Sequence, residues 1–189
     1  MKQIIGIGGT NGSGKDTVGQ LLAEEFGFLF ISVTDILRAE CRDRGLPVVR
    51  ENLREISAEW RRELGMGAPI DRGIAVYDKS GKNYKGVVLA SLRHPGESDR
   101  VHELGGTVWW IDADPQVRYE RVRAGNRGRS EEDEKTFEEF MADEAAEMTP
   151  PPDGGPTALN AAAVRDGADV MITNGGDLDA LREQILRSL

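Results

Sequence analysis

The feature that most constrains this chain is a glycine-rich loop between an apolar run and an amphipathic stretch. The loop reads Gly9-Thr10-Asn11-Gly12-Ser13-Gly14-Lys15-Asp16-Thr17. Residues 2–9 before it predict a strand, and residues 15–26 predict a helix. Such glycines let backbone N–H groups turn inward as an anion nest, the helix N-terminus adds its dipole, and Lys15 can reach phosphates. The pattern predicts a phosphate-binding strand–loop–helix unit, the alternative being a glycine-rich turn that binds no ligand.

The residue after the lysine departs from the usual form of this loop. Asp16 stands where serine or threonine is usual, and Thr17 follows it. Because Mg²⁺ accepts both carboxylate and hydroxyl oxygens, Asp16 and Thr17 are candidate Mg²⁺ ligands. The alternative for Asp16 is a first-turn carboxylate that only complements the helix dipole.

The charge balance limits the partners of this chain. Its 33 acidic and 24 basic residues give a formal net charge of −9, which argues against DNA and membrane surfaces as partners. A phosphate site must therefore be locally basic. The single cysteine, Cys41, cannot form an internal disulfide, and no apolar run approaches the roughly 20 residues of a membrane span, so we expect a cytoplasmic protein.

Apolar runs alternate with amphipathic stretches along the chain. The predicted strands are residues 2–9, 28–32, 86–91, 107–113 and 168–174. Each is followed by a helical pattern, which indicates an α/β fold with a five-stranded parallel sheet in one domain, residues 1–189. Residues 34–80 lack a strand and predict two or three helices. Residues 118–148 form a second helical excursion, followed by a loop at 149–157.

Polar residues just after the predicted strands are candidates for binding an acceptor, because ligands bind beyond the carboxyl ends of parallel strands. Asp35 and Arg38 follow the second strand, and Arg93 and Glu97 follow the third. A carboxylate such as Asp35 can orient or deprotonate an acceptor hydroxyl and help to hold Mg²⁺, and arginines bind phosphate. The alternatives are a helix N-cap for Asp35 and a surface ion pair between Arg93 and Glu97.

Five arginines, interrupted by a single acid, form a locally basic segment. They are Arg118, Arg121, Arg123, Arg127 and Arg129. Arg127 and Arg129 flank Gly128 in a predicted loop, so they are candidates for a lid that closes over a nucleotide. The alternative is a solvated helix face whose arginines pair with the acidic run at 131–147.

Together these motifs resemble the nucleotide-kinase branch of P-loop proteins. The resemblance is closest to dephospho-CoA kinase and to archaeal proteins similar to it or to adenylate kinase. It is carried by the loop, "TDILR" (34–38), "SLRHPGE" (91–97) and "ADVMITNGGDLDAL" (168–181). It implies a three-layer P-loop kinase fold with its core in residues 1–33, 81–117 and 149–189, an acceptor-binding insertion at 34–80, and a lid at about 118–135.

The resemblance also implies roles for single residues. Asp35 matches the proposed catalytic base, Arg93 the arginine that binds the substrate's phosphate, Arg127 or Arg129 the lid arginines, Asn174 and Gly175 a turn near the adenine, and Arg50 a basic position of the insertion. Relatives often carry an acid near the end of the third strand, where this chain has Leu89-Ala90-Ser91. Asp16 could supply the carboxylate missing there.

The function expected from this resemblance is an ATP- and Mg²⁺-dependent kinase. It would transfer the γ-phosphoryl group to a small phosphorylated, nucleotide-like acceptor, either dephospho-CoA or a nucleoside monophosphate. The alternative is a nucleotide-binding switch or sensor with little catalytic activity. The sequence leaves open the acceptor, the choice between ATP and GTP, and the oligomeric state.

Overall fold

The computed structural model describes residues 3–81, 83–124 and 135–189. Its five strands form one sheet in the order β2-β3-β1-β4-β5, with every neighbouring pair parallel. The strands are β1 (Gln3–Gly9), β2 (Phe28–Ser32), β3 (Gly86–Leu92), β4 (Thr107–Asp112) and β5 (Val170–Thr173). The predicted α/β fold with a five-stranded parallel sheet is confirmed.

Helices connect the strands in the expected rhythm. They are α1 (Lys15–Phe26), α2 (Val33–Asp43), α3 (Arg50–Leu64), α4 (Ala68–Lys79), α5 (Pro95–Glu103), α6 (Pro115–Ala124), α7 (Phe137–Met148), α8 (Ala161–Asp166) and α9 (Leu178–Ser188). The predicted helical insertion corresponds to α2, α3 and α4, which lie between β2 and β3. The short helix α8 was not predicted. None of the helices in the described ranges is both long and apolar enough to cross a bilayer.

The helices cover both faces of the sheet. Alternate residues of a strand point to opposite faces, so Trp109 and Trp110 of β4 belong to two different cores. Helices α1 and α9 pack on the face of Trp109, whereas α2, α3, α4, α5 and α8 pack on the face of Trp110. The second core includes Cys41 of α2, whose side chain is fully buried. The insertion is thus an integral layer of the fold.

Because all five strands are parallel, their carboxyl ends lie along one edge of the sheet. The glycine-rich loop follows β1 at this edge, and the register of β1 against β3 shifts between Ile7 and Gly8. Opposite the shift, Ser91 adopts φ 80°, a left-handed conformation that is uncommon for residues other than glycine. The edge therefore combines irregular backbone with the polar residues that follow each strand.

Candidate functional site

The glycine-rich loop has a backbone that only glycine accommodates at two positions. Gly12 and Gly14 have φ of 76° and 94°. A Cβ on Gly12 would lie 2.5 Å from the carbonyl oxygen of Arg118, and one on Gly14 would lie 2.2 Å from Nδ2 of Asn174. Gly14 is also the N-cap of α1 and offers no capping side chain. The first N–H groups of α1 are thus left to an anion.

Lys15 lies at the start of α1, and its ammonium group folds back over the loop. Its Nζ donates a hydrogen bond of 2.7 Å to the carbonyl oxygen of Thr10. Asp16, which is exposed, and the half-buried Thr17 follow on the first turn, and all three residues line the same cleft. This arrangement has the form of the predicted phosphate-binding loop.

Two residues outside the loop donate hydrogen bonds to its carbonyl oxygens. Asn174 follows β5, and its Nδ2 donates to the carbonyl oxygen of Ser13 at 2.9 Å. Arg118 of α6 donates to the carbonyl oxygens of Ala113 (2.9 Å) and Asn11 (3.3 Å). Both side chains are buried. Asn174 therefore contacts the loop directly, whereas the sequence analysis expected it in a turn near the adenine.

Arg118 makes its main contact with the acidic segment that follows the arginines. Its guanidinium forms a two-pronged ion pair with Glu144 of α7. Pairing with the acidic run, the alternative stated for this arginine segment, is therefore the arrangement found for Arg118. Arg127 and Arg129, the lid candidates, lie outside the described residues.

The loop opens into a cleft of about 700 Å³ that also reaches the insertion and the end of β3. Among the described residues, seven cationic and three acidic side chains line it. The cleft is therefore locally basic, although the chain as a whole is acidic. Most of these cations come from the insertion, and none comes from the described part of the 118–129 segment, which was the basic patch expected from the sequence.

Three arginines of this cleft converge on one carboxylate, that of Glu147 on α7. Arg93 lies 2.6 Å from it, Arg54 3.3 Å and Arg50 3.5 Å, measured between nitrogen and carboxylate oxygen. The Glu147 side chain is only 15% exposed. Burial disfavours its ionised form, but the three guanidinium groups outweigh this and hold the pKa of Glu147 below its ordinary value. The site is built to hold an anion.

Asp35 occupies a different position from either sequence interpretation. Ser32 is the N-cap of α2, and Asp35 lies in its first turn, with the backbone N–H of Asp35 donating to the Ser32 hydroxyl. Its carboxylate is 66% exposed and pairs with Arg38 at 2.6 Å. Arg38 lines the cleft, whereas Asp35 is not among the lining residues. Arg38 contacts Oδ1 of this carboxylate, and the role of Asp35 as a base stays a prediction.

Glu97 is buried in an ion pair with Arg61 of α3, at 2.7 Å, with both side chains 2% exposed. Its other oxygen accepts from the backbone N–H groups of Arg93 and His94. The surface ion pair between the side chains of Arg93 and Glu97, stated as the alternative for Arg93, is not the arrangement found, because Glu97 contacts only the backbone N–H of Arg93. Glu97 fixes the start of α5 and the position of Arg93, while Arg93 itself turns towards Glu147.

His94 is buried and caps α5. Its Nδ1 accepts from the backbone N–H of Gly96. Its Nε2 donates to the carbonyl oxygen of Pro156, 2.8 Å away. Burial lowers the pKa of His94, so the neutral ring fits this pattern of one acceptor and one donor. The loop after α7 is thereby tied to the edge of the sheet.

Sequence reasoning did not single out Arg54 or Glu147, and it placed Arg118 in a basic segment without its role as a support of the loop. Arg54 lies one helical turn after Arg50, so the i, i+4 spacing could have indicated it. Glu147 is the last acid of a run of nine between 131 and 147, and nothing in that composition distinguishes it. Gly175, expected beside an adenine, is exposed.

The residues that could hold Mg²⁺ are few. Within residues 3–81, 83–124 and 135–189, no group of three or more His, Cys, Asp or Glu side chains is arranged to bind a metal ion. Asp16 and Thr17 offer a carboxylate and a hydroxyl beside the loop. Mg²⁺ in phosphate sites takes only one or two protein ligands and keeps water and phosphate oxygens as the others, so this donor set fits a phosphate-bound ion.

Comparison with known proteins gives two kinds of relatives. A family model described as "AAA domain" matches residues 5–142. A UPF0200 protein of Pyrococcus abyssi is 35% identical over 149 residues, which cover 77% of this chain and 78% of that protein. A UPF0200 protein of Thermococcus sibiricus is 29% identical over 188 residues, covering 97% and 92%.

Among solved structures, the fold is similar to that of small-molecule kinases. Shikimate kinase from Bacteroides thetaiotaomicron superposes with a TM-score of 0.60 at 14% identity, covering 98% of this chain and 96% of the other. Shikimate kinase from Acinetobacter baumannii, in complex with shikimate, gives 0.52 at 17% identity, with coverage of 98% and 90%. At these identities the likeness concerns the fold alone.

Proposed function

Because the chain belongs to the UPF0200 family and carries an AAA domain on a P-loop kinase-like fold, we propose that it is a phosphotransferase. It binds ATP with Mg²⁺ and transfers the γ-phosphoryl group to a small, phosphorylated, nucleotide-like acceptor. The observation that carries this proposal is that the phosphate loop and the three arginines around Glu147 open into one cleft. Donor and acceptor can thus meet without crossing the sheet.

In this proposal the loop holds the donor's phosphates. The N–H groups at the start of α1 and the ammonium of Lys15 bind phosphate oxygens, and Lys15 exchanges its contact with Thr10 for them. Asp16 and Thr17 would hold Mg²⁺, which would neutralise charge that develops on the phosphates. An acceptor oxygen attacks the γ-phosphorus, the bond from that phosphorus to the bridging oxygen breaks, and ADP leaves with the electron pair. A hydroxyl acceptor gives its proton to a base, for which Asp35 is the candidate, whereas an ionised phosphate oxygen carries no proton.

The acceptor side of the cleft supplies positioning. Arg93 and Arg50 bind the acceptor's anionic group, and Arg38 lines the same cleft as a further cation. Apolar side chains of the cleft, among them Leu37, Val49 and Leu53, can cover an uncharged part of the acceptor. Such a combination suits dephospho-CoA or a nucleoside monophosphate. Catalysis then comes mainly from positioning and electrostatic stabilisation.

A nucleotide-binding sensor with little turnover is the second candidate. The observation that favours it is the end of β3, where the buried Ala90 and the strained Ser91 place no carboxylate in the cleft. Asp35 is also turned to solvent and paired with Arg38. A protein of this kind would bind Mg·ATP tightly and release ADP slowly, whatever acceptor is present.

The test is a screen of ADP release from Mg·ATP with dephospho-CoA, with ribo- and deoxyribonucleoside monophosphates, and without acceptor. Acceptor-dependent release identifies a kinase and its substrate, and tight binding of ATP without release identifies the sensor. Lys15→Ala should abolish ATP binding in either case. Lys79→Ala, which removes an exposed lysine at the end of α4, is the matched control and should change nothing. ATP binding that survives Lys15→Ala would overturn both candidates.

A further inference from the structure

Glu147 is a carboxylate held where an anionic ligand would be expected. It belongs to α7, which is distant in sequence from both the loop and the insertion, yet its side chain lies in the cleft against Arg50, Arg54 and Arg93. Arg93 follows β3 and the other two belong to α3. One carboxylate thus bridges two separate elements of the acceptor side.

Guanidinium groups outnumber the carboxylate that they share. Among the described residues, Arg50, Arg54 and Arg93 line the cleft and contact Glu147. Asp143, one turn earlier on α7, pairs with Lys135 and lies 3.5 Å from Arg50. Glu147 brings a single negative charge to its three arginines, so a phosphate dianion, with two charges and more acceptor oxygens, satisfies them better.

The surroundings indicate what else such a ligand carries. Val48 and Val49 precede α3 and are 42% and 48% exposed, although both line the cleft beside Arg50. Leu53 and Leu159 add further apolar lining. Exposed apolar side chains beside a cluster of guanidinium groups fit a ligand with a phosphate at one end and an apolar or planar body at the other.

We propose that Glu147 is an internal stand-in for the acceptor's phosphate and determines specificity by competing with it. An acceptor must bring a dianionic phosphate to displace Glu147 from the three arginines, whereas a neutral or monoanionic acceptor leaves the carboxylate in place. Displacement also frees this end of α7 from the insertion, so acceptor binding is coupled to the position of that helix. The proposal rests on the proposed function, because it assigns the acceptor to this end of the cleft.

The test measures the binding of inorganic phosphate by titration calorimetry in a Lys15→Ala background, which removes the contribution of the lysine to binding at the loop. Adding Glu147→Gln should tighten binding roughly tenfold, since the competing charge is lost while the arginines remain. Glu138→Gln makes the same chemical change at an exposed site of the same helix and should leave the affinity unchanged. Arg54→Gln, added to Glu147→Gln, should remove the tightened binding.

Acetate is the second probe, because it copies the Glu147 carboxylate. It should fail to compete with phosphate while Glu147 is present and should compete in the Glu147→Ala variant, which leaves a gap of carboxylate size. An affinity for phosphate that is unchanged or weakened in both Glu147 variants overturns the proposal. Failure of the wild-type protein to bind Mg·ATP overturns the proposed function instead, since the phosphate titrations compare variants that share the same Lys15→Ala loop.

Discussion

Single residues at the carboxyl edge of the sheet decide how the site is shaped. Ser91 is the clearest case, because its φ of 80° is costly for a residue with a Cβ. Among the described residues it alone has a positive φ without being glycine. It lies beside the register shift of β1 and lines the cleft. Strain retained at such a position points to a functional constraint on the backbone.

Replacing Ser91 by glycine should therefore stabilise the protein, by up to about 1 kcal/mol after the entropy of the unfolded chain is subtracted. Urea denaturation measures the change. Ser80→Gly is the control, because Ser80 has φ −63° and glycine there should destabilise by about 0.5–1 kcal/mol. Equal destabilisation by both changes would contradict the assignment of strain to Ser91.

Residue roles were predictable from sequence only where a motif carries them. The loop from Gly9 to Thr17 was predicted with its strand and helix, since its spacing has a mechanical reason. Asn174 and Arg118 were not predicted as its supports, because their contacts join parts of the chain separated by 161 and 107 positions. The alternative interpretation of Asp35 as the N-cap of α2 is wrong, because Ser32 is the N-cap and Asp35 lies in the first turn, where both residue types are favourable.

Among the elements, α7 is the one whose place depends most on charge. Its carboxylates at 143, 144 and 147 contact cations of the cleft and of the loop support. Its apolar contacts are Met148, which packs against the core, and the buried Phe140, whose ring lies beside Tyr119. The sequence predicted helix here, within the excursion at 118–148, but composition alone did not indicate which acids would turn inward.

The docking of α7 should weaken in acid. The pKa of Glu147 is lowered in the folded protein, so its ion pairs contribute stability above the unfolded value of 4.5, and this is lost as pH falls through the lower folded value. At pH 7 the free energy of unfolding of wild type should exceed that of Glu147→Gln by about 1 kcal/mol. The partial exposure of the arginines keeps this difference small. Below the folded-state pKa of Glu147, the difference in unfolding free energy between wild type and Glu147→Gln should vanish. Urea denaturation from pH 7 to pH 3 measures it.

Glu138→Gln is again the matched comparison, and its difference from wild type should stay near zero throughout that range. If the stability advantage of wild type over Glu147→Gln grew as pH falls, folding would raise the pKa of Glu147. That result would contradict the assignment.

At the scale of the molecule, the parallel sheet explains why the sequence analysis could place the site. Five strands with helices after them determine that all strand ends meet at one edge, and Lys15, Arg93 and Asn174 follow three of those strands. The order β2-β3-β1-β4-β5 came only from the structure, because strand neighbours are separated by long connections. That order places β1 centrally, so the loop has neighbours on both sides.

The reactivity of the buried Cys41 reports how often the insertion layer opens. It is the chain's single thiol, and it is sealed between α2 and the rest of the insertion layer, so an alkylating reagent can reach it only when that layer opens. Phosphate bound across Arg93 and the two arginines of α3 links this layer to β3 and should slow the reaction in proportion to one plus the ratio of ligand concentration to Kd. Iodoacetamide labelling followed by mass spectrometry measures the rate, with the urea-unfolded chain as the unprotected reference. If saturating phosphate leaves the labelling rate of Cys41 unchanged, the insertion opens while the contacts of the acceptor site stay in place.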